Sequence, residues 1–158
     1  MERMNRKTIT INVLEANALN EIEKADQELL SSAIQATQGA YAPFSHFQVG
    51  AAVRLSNGGV ITGSNQENAA YPSGLCAERT ALFYAQSQHP HLAVEAIAIA
   101  ALSNGKQTAN PAYPCGACRQ VMMESQKRAN RPVRVVMGGA EKIQIVASVD
   151  DLLPLAFD

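Results

Sequence analysis

"AVEAIAIAAL", residues 93–102, is an almost unbroken apolar run, and it decides how the fold is predicted. A short apolar run rich in Val, Ile and Ala is typical of a strand that is buried on both faces of a sheet. Downstream, the sequence predicts a helix over residues 115–126 and a strand in "PVRVVMG", residues 132–138. Because strand–helix–strand order favours a parallel pair of strands, we expect part of the sheet to be parallel.

The elements on either side extend this sheet. "FQVGAAVRL" (residues 47–55) and "VITGSN" (residues 60–65) flank "SNGG", which predicts a β-hairpin. Further elements are predicted as a strand over residues 7–14, a helix over 19–38, a helix over 76–87 and a strand over 142–148. The expected fold is therefore α/β, with three α/β/α layers and a mixed sheet of about five strands.

Composition limits the class of protein. The chain has 158 residues, 47% hydrophobic and 17% charged, which suits a single domain over residues 1–158. Its 13 Lys and Arg residues balance 14 Asp and Glu residues, so no basic surface for nucleic acid is expected. No signal peptide or membrane span is predicted, which favours a cytoplasmic location. Residues 1–20 form an extension to which the sequence assigns no role.

"PCGACRQ", residues 114–120, contains two of the three cysteines. A lone C-x-x-C pattern suits a redox pair, half of a structural zinc site or part of a catalytic zinc site. Cys115 and Cys118 share one face of a predicted helix, and Cys76 begins another helix, where a thiolate is favoured. Three protein ligands with an open fourth position are typical of a catalytic zinc site, so we expect one Zn²⁺ per chain.

Glu78, two residues after Cys76, distinguishes between these interpretations. Its carboxylate can take a proton from a metal-bound water and deliver it to a substrate nitrogen, whereas a structural zinc module has no use for it. A thioredoxin-like redox pair would leave Cys76 and Glu78 unexplained. His46, His89 and His91 are the only histidines, and their positions favour loops or a strand start over a fourth ligand.

Four segments carry a resemblance to a known family. They are "YAPFSHFQVGAA" (residues 41–52), "NQENAAYPSGLCAERTALF" (65–83), "PCGACRQV" (114–121) and "LLPLAF" (152–157). In this order they resemble the small homotetrameric, three-cysteine cytidine deaminases, which are hydrolases. The resemblance implies that Cys76, Cys115 and Cys118 hold zinc. It also implies that zinc-bound hydroxide attacks C4 of cytidine or deoxycytidine, with Glu78 as proton shuttle, to give uridine or deoxyuridine and ammonia in pyrimidine salvage.

The resemblance also implies substrate contacts. By it, Asn65 and Glu67 bind the ribose 3′-hydroxyl, Phe47 lines the nucleoside pocket, the Ala77 N–H contacts the pyrimidine carbonyl, and Tyr71 and Phe157 reach a neighbouring subunit's pocket. These contacts make the expected partners a small nucleoside and further copies of the chain in a homotetramer, without nucleic acid or membrane.

Arg79 follows Cys76 by three residues, on the same helical face. Three thiolates on Zn²⁺ leave a net negative charge, and hydrogen bonds from Arg79 would offset part of it. The other possibility for this arginine is a surface ion pair.

Two related deaminase classes remain as alternatives. Deaminases of the aminoacylnucleoside antibiotic blasticidin S share C-A-E and P-C-x-x-C, but "NQEN", residues 65–68, favours a plain ribose. Nucleic-acid editing deaminases share the zinc motif too, yet they would be expected to carry a basic groove, against which the even charge balance argues.

Overall fold

The computed structural model describes residues 4–157, which build a seven-stranded mixed sheet with helices on both faces. The strands are β1 (Leu14–Ala16), β2 (Phe47–Leu55), β3 (Val60–Ser64), β4 (Val94–Ser103), β5 (Lys106–Gln107), β6 (Arg134–Gly138) and β7 (Ile143–Val146). The α-helices are α1 (Lys24–Ala36), α2 (Ala77–Gln88) and α3 (Gly116–Ala129). Short 3₁₀ turns occur at Leu19–Glu21, Thr37–Gly39, Tyr71–Ser73 and Val149–Asp151.

The strands follow the order β1-β7-β6-β4-β2-β3, and β5 pairs with β4 outside this path. β4 and β6 are parallel and are connected through α3, while the other pairings are antiparallel. The parallel pair predicted from residues 93–102 is therefore present, and β4 is the buried central strand.

The alternation of β4 side chains sets how closely each helical layer approaches. Ile97 and Ile99 pack with α2 and α3 on one face. Ala96, Ala98 and Ala100 lie on the opposite face against α1. Small side chains let a helix come close to a sheet, and a Cβ built on Gly50 of β2 would lie 2.0 Å from the Ala33 carbonyl oxygen of α1.

Gly63 of β3 has the equivalent role under α2. A Cβ there would lie 2.6 Å from the Ala81 nitrogen and 2.9 Å from the Ala77 carbonyl oxygen. Since Ala77 is the first residue of α2, the glycine allows the start of this helix to sit directly on the sheet.

The three-layer α/β/α class is confirmed, with two differences in detail. The sheet has seven strands instead of about five, because β1 and β5 have only three and two residues and leave no clear pattern. The strand predicted over residues 7–14 is wrong except at Leu14: residues 4–13 have no regular structure, and the strand is Leu14–Ala16. Its partner β7 is itself only four residues long, so the alternating residues upstream of Leu14 have no strand to pair with.

The predicted helix over residues 19–38 is shorter in the structure. Its α-helical part is Lys24–Ala36, and 3₁₀ turns replace both ends. Residues 1–3 of the predicted extension, and Asp158, lie outside the described residues. Among residues 4–157, no helix combines the length and apolarity needed to cross a bilayer.

Candidate active site

Three cysteine side chains meet where α2 and α3 begin. Cys76 is the N-cap of α2 and Cys115 is the N-cap of α3, and neither side chain caps its own helix. Cys118 lies in the first turn of α3, and the three Sγ atoms are within 4.8 Å of one another. Because both helices pack on the same face of the sheet, their positive N-terminal ends point at one cluster of thiols.

The thiols share protons and a neighbouring guanidinium. A hydrogen bond from the Cys118 thiol, together with the Arg79 side chain, lowers the pKa of Cys76 to about 5. The same bond to Cys76, together with burial, raises the pKa of Cys118. Arg79 Nη2 donates to Cys76 Sγ at 3.5 Å, and its own pKa is raised by that contact. Cys76 is thus ionised before Cys118.

This donor set fits a zinc ion. Three thiols are soft ligands of the kind that zinc prefers, and no histidine or carboxylate joins the cluster among residues 4–157. Arg79 Nε is buried and has no hydrogen-bond partner within the same part of the chain. An unsatisfied cationic donor beside three thiols is compatible with the extra negative charge of three thiolates.

Glu78 lies in the first turn of α2, next to the cluster but outside it. Its side chain is only 5% exposed, and burial raises its pKa to about 7, with the charge of Cys76 acting in the same direction. It has no ion-pair partner among the described residues. Its hydrogen bonds, to its own backbone N–H and with the Cys118 thiol, lower the pKa by less than burial raises it.

Glu78 and two of the cysteines open onto a cavity of about 170 Å³, which we call the small cavity. Its lining is mostly apolar with a few polar groups, as is typical of small-molecule sites. The lining residues are Phe47, Val49, Asn65, Cys76, Ala77, Glu78, Ile99, Ala112, Tyr113 and Cys115. Ala77 contributes the first helical N–H of α2, which has no partner within the helix.

A second cavity of about 500 Å³, the large cavity, adjoins the first. The two share Asn65 and Cys76. The large cavity is also lined by Phe44, Ser45, Gln66, Glu67, Asn68, Tyr71, Gly74, Leu75 and Arg79. The predicted site residues therefore divide: Phe47, Ala77 and Glu78 face the small cavity, whereas Glu67, Tyr71 and Arg79 face the large one.

Asn65 and Glu67 also make contacts that hold the protein together. Asn65 Oδ1 accepts from the Val49 N–H at 2.8 Å, and Asn65 Nδ2 donates to the Phe47 carbonyl at 3.0 Å. The Glu67 carboxylate accepts from the Phe44 N–H at 2.9 Å and from both the N–H and the hydroxyl of Ser45. The Ser45 hydroxyl contact is the main cause of a lowered pKa at Glu67.

Tyr71 and Phe157 remain mostly exposed within one chain, although Tyr71 lines the large cavity. Tyr71 is 77% exposed and meets Phe44 edge to face, with ring centroids 6.1 Å apart. Phe157 is 83% exposed and lines neither cavity, although its backbone N–H and carbonyl are both bonded to the Gln120 side chain.

Sequence reasoning missed several lining residues. Tyr113 is the most consequential, because it lines the small cavity together with Glu78 and Cys115. Its position next to Pro114 and Cys115 in the sequence is the one signal that could have identified it. Ser45 and Phe44 lie within the segment 41–52, but nothing in their residue types indicated that they would anchor Glu67.

An α/β/α fold in which two helix starts present three thiols beside a buried carboxylate defines a zinc-dependent deaminase. The family model described as "Cytidine and deoxycytidylate deaminase zinc-binding region" matches residues 23–135. A cytidine deaminase of Halalkalibacterium halodurans is 45% identical over 131 residues, which cover 83% of this chain and 92% of the relative. The chain belongs to the family of zinc-dependent cytidine deaminases, and it is an enzyme of that family.

Solved structures agree with this family. The cytidine deaminase from Burkholderia pseudomallei is 39% identical, with a TM-score of 0.68 over 82% of this chain and 97% of that one. The cytidine deaminase from Mycobacterium tuberculosis is 34% identical, with a TM-score of 0.66 over 83% of this chain and 95% of that one.

Proposed function

We propose that this enzyme hydrolyses cytidine and deoxycytidine to uridine and deoxyuridine, with release of ammonia. The observation that carries the proposal is the buried, unpaired carboxyl group of Glu78 beside three convergent thiols. Together these supply the metal ligands and the proton carrier that hydrolytic deamination of a pyrimidine needs. One water is consumed and one ammonia is released for each nucleoside.

Cys76, Cys115 and Cys118 would hold one zinc ion per chain. Bound there, zinc supplies the Lewis acidity that makes water nucleophilic near neutral pH. Arg79, through its Nη2 bond to Cys76 and its unpartnered Nε, would offset the charge of the thiolates.

Glu78 would carry the proton. Its carboxylate takes a proton from the attacking water and delivers it to ring N3. It then helps to transfer a proton to the amino group that leaves C4. A carboxyl group with a pKa raised to about 7 by burial can both accept and donate near neutral pH, which is what the two transfers require.

The substrate would span both cavities. The base would occupy the small cavity against Phe47, with its carbonyl oxygen accepting from the Ala77 N–H. The ribose would extend past Asn65 into the large cavity. Asn65 has a second amide N–H beyond the one bonded to Phe47, and a carboxylate can accept about four hydrogen bonds. Asn65 and Glu67 therefore retain capacity for the 3′-hydroxyl.

The enzyme would work as a homotetramer of single deaminase domains, with each site completed by a neighbouring subunit. Tyr71 and Phe157 support this, because they are large aromatic side chains that one chain leaves mostly exposed. We further propose a cytoplasmic role in pyrimidine salvage; three unpaired thiols suit a reducing compartment.

A substrate series tests the function without altering the protein. Zinc-loaded enzyme is incubated with cytidine, deoxycytidine, cytosine and deoxycytidine monophosphate, and loss of pyrimidine absorbance is followed. We expect turnover of both nucleosides and very slow turnover of cytosine, because the ribose contacts orient the base. No loss of cytidine would contradict the proposed function. Cytosine turnover as fast as cytidine turnover would contradict the roles of Asn65 and Glu67.

Metal analysis of the same preparation tests the ligand set. About one zinc per chain is expected in the wild-type protein, and Cys115→Ala should lose both zinc and stability because metal binding contributes to folding. Full zinc content in Cys115→Ala would contradict the role of Cys115.

A further inference from the structure

Tyr113 lines the small cavity, and its side chain is hydrogen-bonded to a residue outside the site. Tyr113 is about half exposed, and it lines the cavity together with Glu78 and Cys115. The Tyr113 hydroxyl donates to Gln144 Oε1 at 2.6 Å. Gln144 belongs to β7, so this bond connects the cavity to the edge of the sheet that β1 and β7 form.

Gln144 in turn is held by the N-terminal segment. It lies directly opposite Glu15 in the antiparallel pairing of β1 with β7, and Gln144 Nε2 donates to Glu15 Oε1. A carboxylate accepts hydrogen bonds and donates none, so Glu15 fixes which end of the Gln144 amide faces it. The amide oxygen then faces Tyr113, which makes the tyrosine hydroxyl the donor.

We propose that Glu15 and Gln144 are positioning residues that hold the Tyr113 ring as a fixed wall of the substrate cavity. This inference rests on the proposed function and assigns a role to the N-terminal strand. The family model matches residues 23–135, so both positioning residues lie outside the matched region.

These contacts would preorganise the Tyr113 side chain before the substrate binds. Tyr113 precedes Pro114, and the residue before a proline is confined to extended backbone conformations. Most of the remaining freedom is rotation of the side chain, which the hydroxyl contact restricts. A wall that is already ordered costs less entropy when a ligand binds. Loss of the contact should therefore weaken nucleoside binding without altering proton transfer at Glu78.

The test is a double-mutant cycle with Glu15→Ala and Tyr113→Phe, which removes the hydroxyl and keeps the ring. We expect each variant to raise the KM for cytidine by about threefold to tenfold, the effect of losing one or two hydrogen bonds. The KM of the double variant should be no higher than that of either single variant, because both substitutions break the same chain of hydrogen bonds from Glu15 through Gln144 to Tyr113. Turnover number and zinc content should stay at wild-type values, and the inhibition constant of uridine should rise with KM.

Two further variants distinguish a specific effect on Tyr113 from a general loss of stability in the N-terminal segment. Glu21→Ala removes a carboxylate of the same segment, which accepts from the Asn17 N–H at 2.8 Å and does not contact Gln144. It should leave KM unchanged. Glu15→Gln keeps an acceptor but adds a donor that can face Gln144, so it should restore only part of the affinity.

Each outcome is decisive. The positioning role would be overturned by a wild-type-like KM in Glu15→Ala, by additive effects in the double variant, or by an equal rise in KM for Glu21→Ala. In each of these cases, cytidine turnover by the wild-type enzyme would still support the proposed function. A wild-type enzyme without cytidine turnover would overturn the function, and the positioning role with it.

Discussion

Among residues 4–157, each of the two faces of the sheet buries one carboxylate, and the two carboxylates have opposite surroundings. Asp26 of α1 is 1% exposed, and its Oδ2 accepts from both Nε and Nη2 of Arg134 at 2.8 Å. Glu78 of α2 is 5% exposed and has no ion-pair partner among the described residues. The first carboxylate forms an ion pair within the fold, and the second has only hydrogen bonds and the more distant charge of Arg79.

A buried charge is costly unless it is paired, so an unpaired one is retained only for a reason. On the α1 face, the pair of Asp26 with Arg134 connects the helix to β6 and serves structure. On the opposite face, burial moves the pKa of Glu78 to about 7, where a carboxyl group can exchange protons. The absence of an ion-pair partner therefore distinguishes the carboxylate to which we assign the proton transfer.

Glu78→Gln should have the largest effect on activity. The amide keeps the size of the side chain and cannot take a proton from water, so turnover should fall by about 10²–10⁴-fold. Zinc content should be unchanged, and the urea unfolding midpoint should stay the same or rise, because an uncompensated buried charge is removed. Steady-state kinetics, metal analysis and urea titration check these points. Near-normal turnover with zinc in place would exclude Glu78 as the proton carrier.

Asp26→Asn should show the reverse pattern, with an intermediate effect. Removing one partner leaves Arg134 incompletely paired, which should lower the free energy of unfolding by about 2–4 kcal/mol. Turnover per zinc should stay at the wild-type level, since Asp26 and Arg134 line neither cavity. Urea unfolding and steady-state kinetics measure the two effects.

Glu23→Gln is the matched control for Asp26→Asn. Glu23 also faces Arg134, but at 3.9 Å and with a side chain that is 77% exposed. Its loss should change stability by less than about 0.5 kcal/mol. Equal destabilisation in the two variants would show that burial does not set the difference.

The sequence predicted the site face better than the sheet edges. Cys115 and Cys118 share a helix turn, and Cys76 and Glu78 share another, so local spacing already places each pair of groups. β4 was predictable because its apolar run is long. The bounds of β1 were not predictable, because they are set by the length of its partner β7 and not by the alternation of residues in β1 itself.

Tyr113 shows the same limit within the site. Its role depends on Gln144, which is 31 residues away in sequence, and on Glu15 beyond that. A contact between exposed side chains of distant segments leaves no periodic pattern. That Asn65 lines both cavities whereas Glu67 lines only the large one also had no local signal in the sequence.

Phe157 extends the comparison beyond one chain, and it carries the smallest expected effect. The Gln120 side chain of α3 holds its backbone on the site face of the sheet, yet its ring is 83% exposed. An aromatic ring that is exposed although its backbone is anchored suits a contact with a neighbouring subunit's pocket. Phe157→Ala should therefore raise the KM for cytidine by about twofold to tenfold, which corresponds to about 0.5–1.5 kcal/mol for an aromatic contact.

Leu155→Ala is the matched control, since Leu155 is 79% exposed in the same tail, and it should leave KM unchanged. Light scattering should find a tetramer for the wild-type enzyme, and zinc content should be equal in all three proteins. A fully active monomer, or unchanged KM in Phe157→Ala, would confine the site to a single chain.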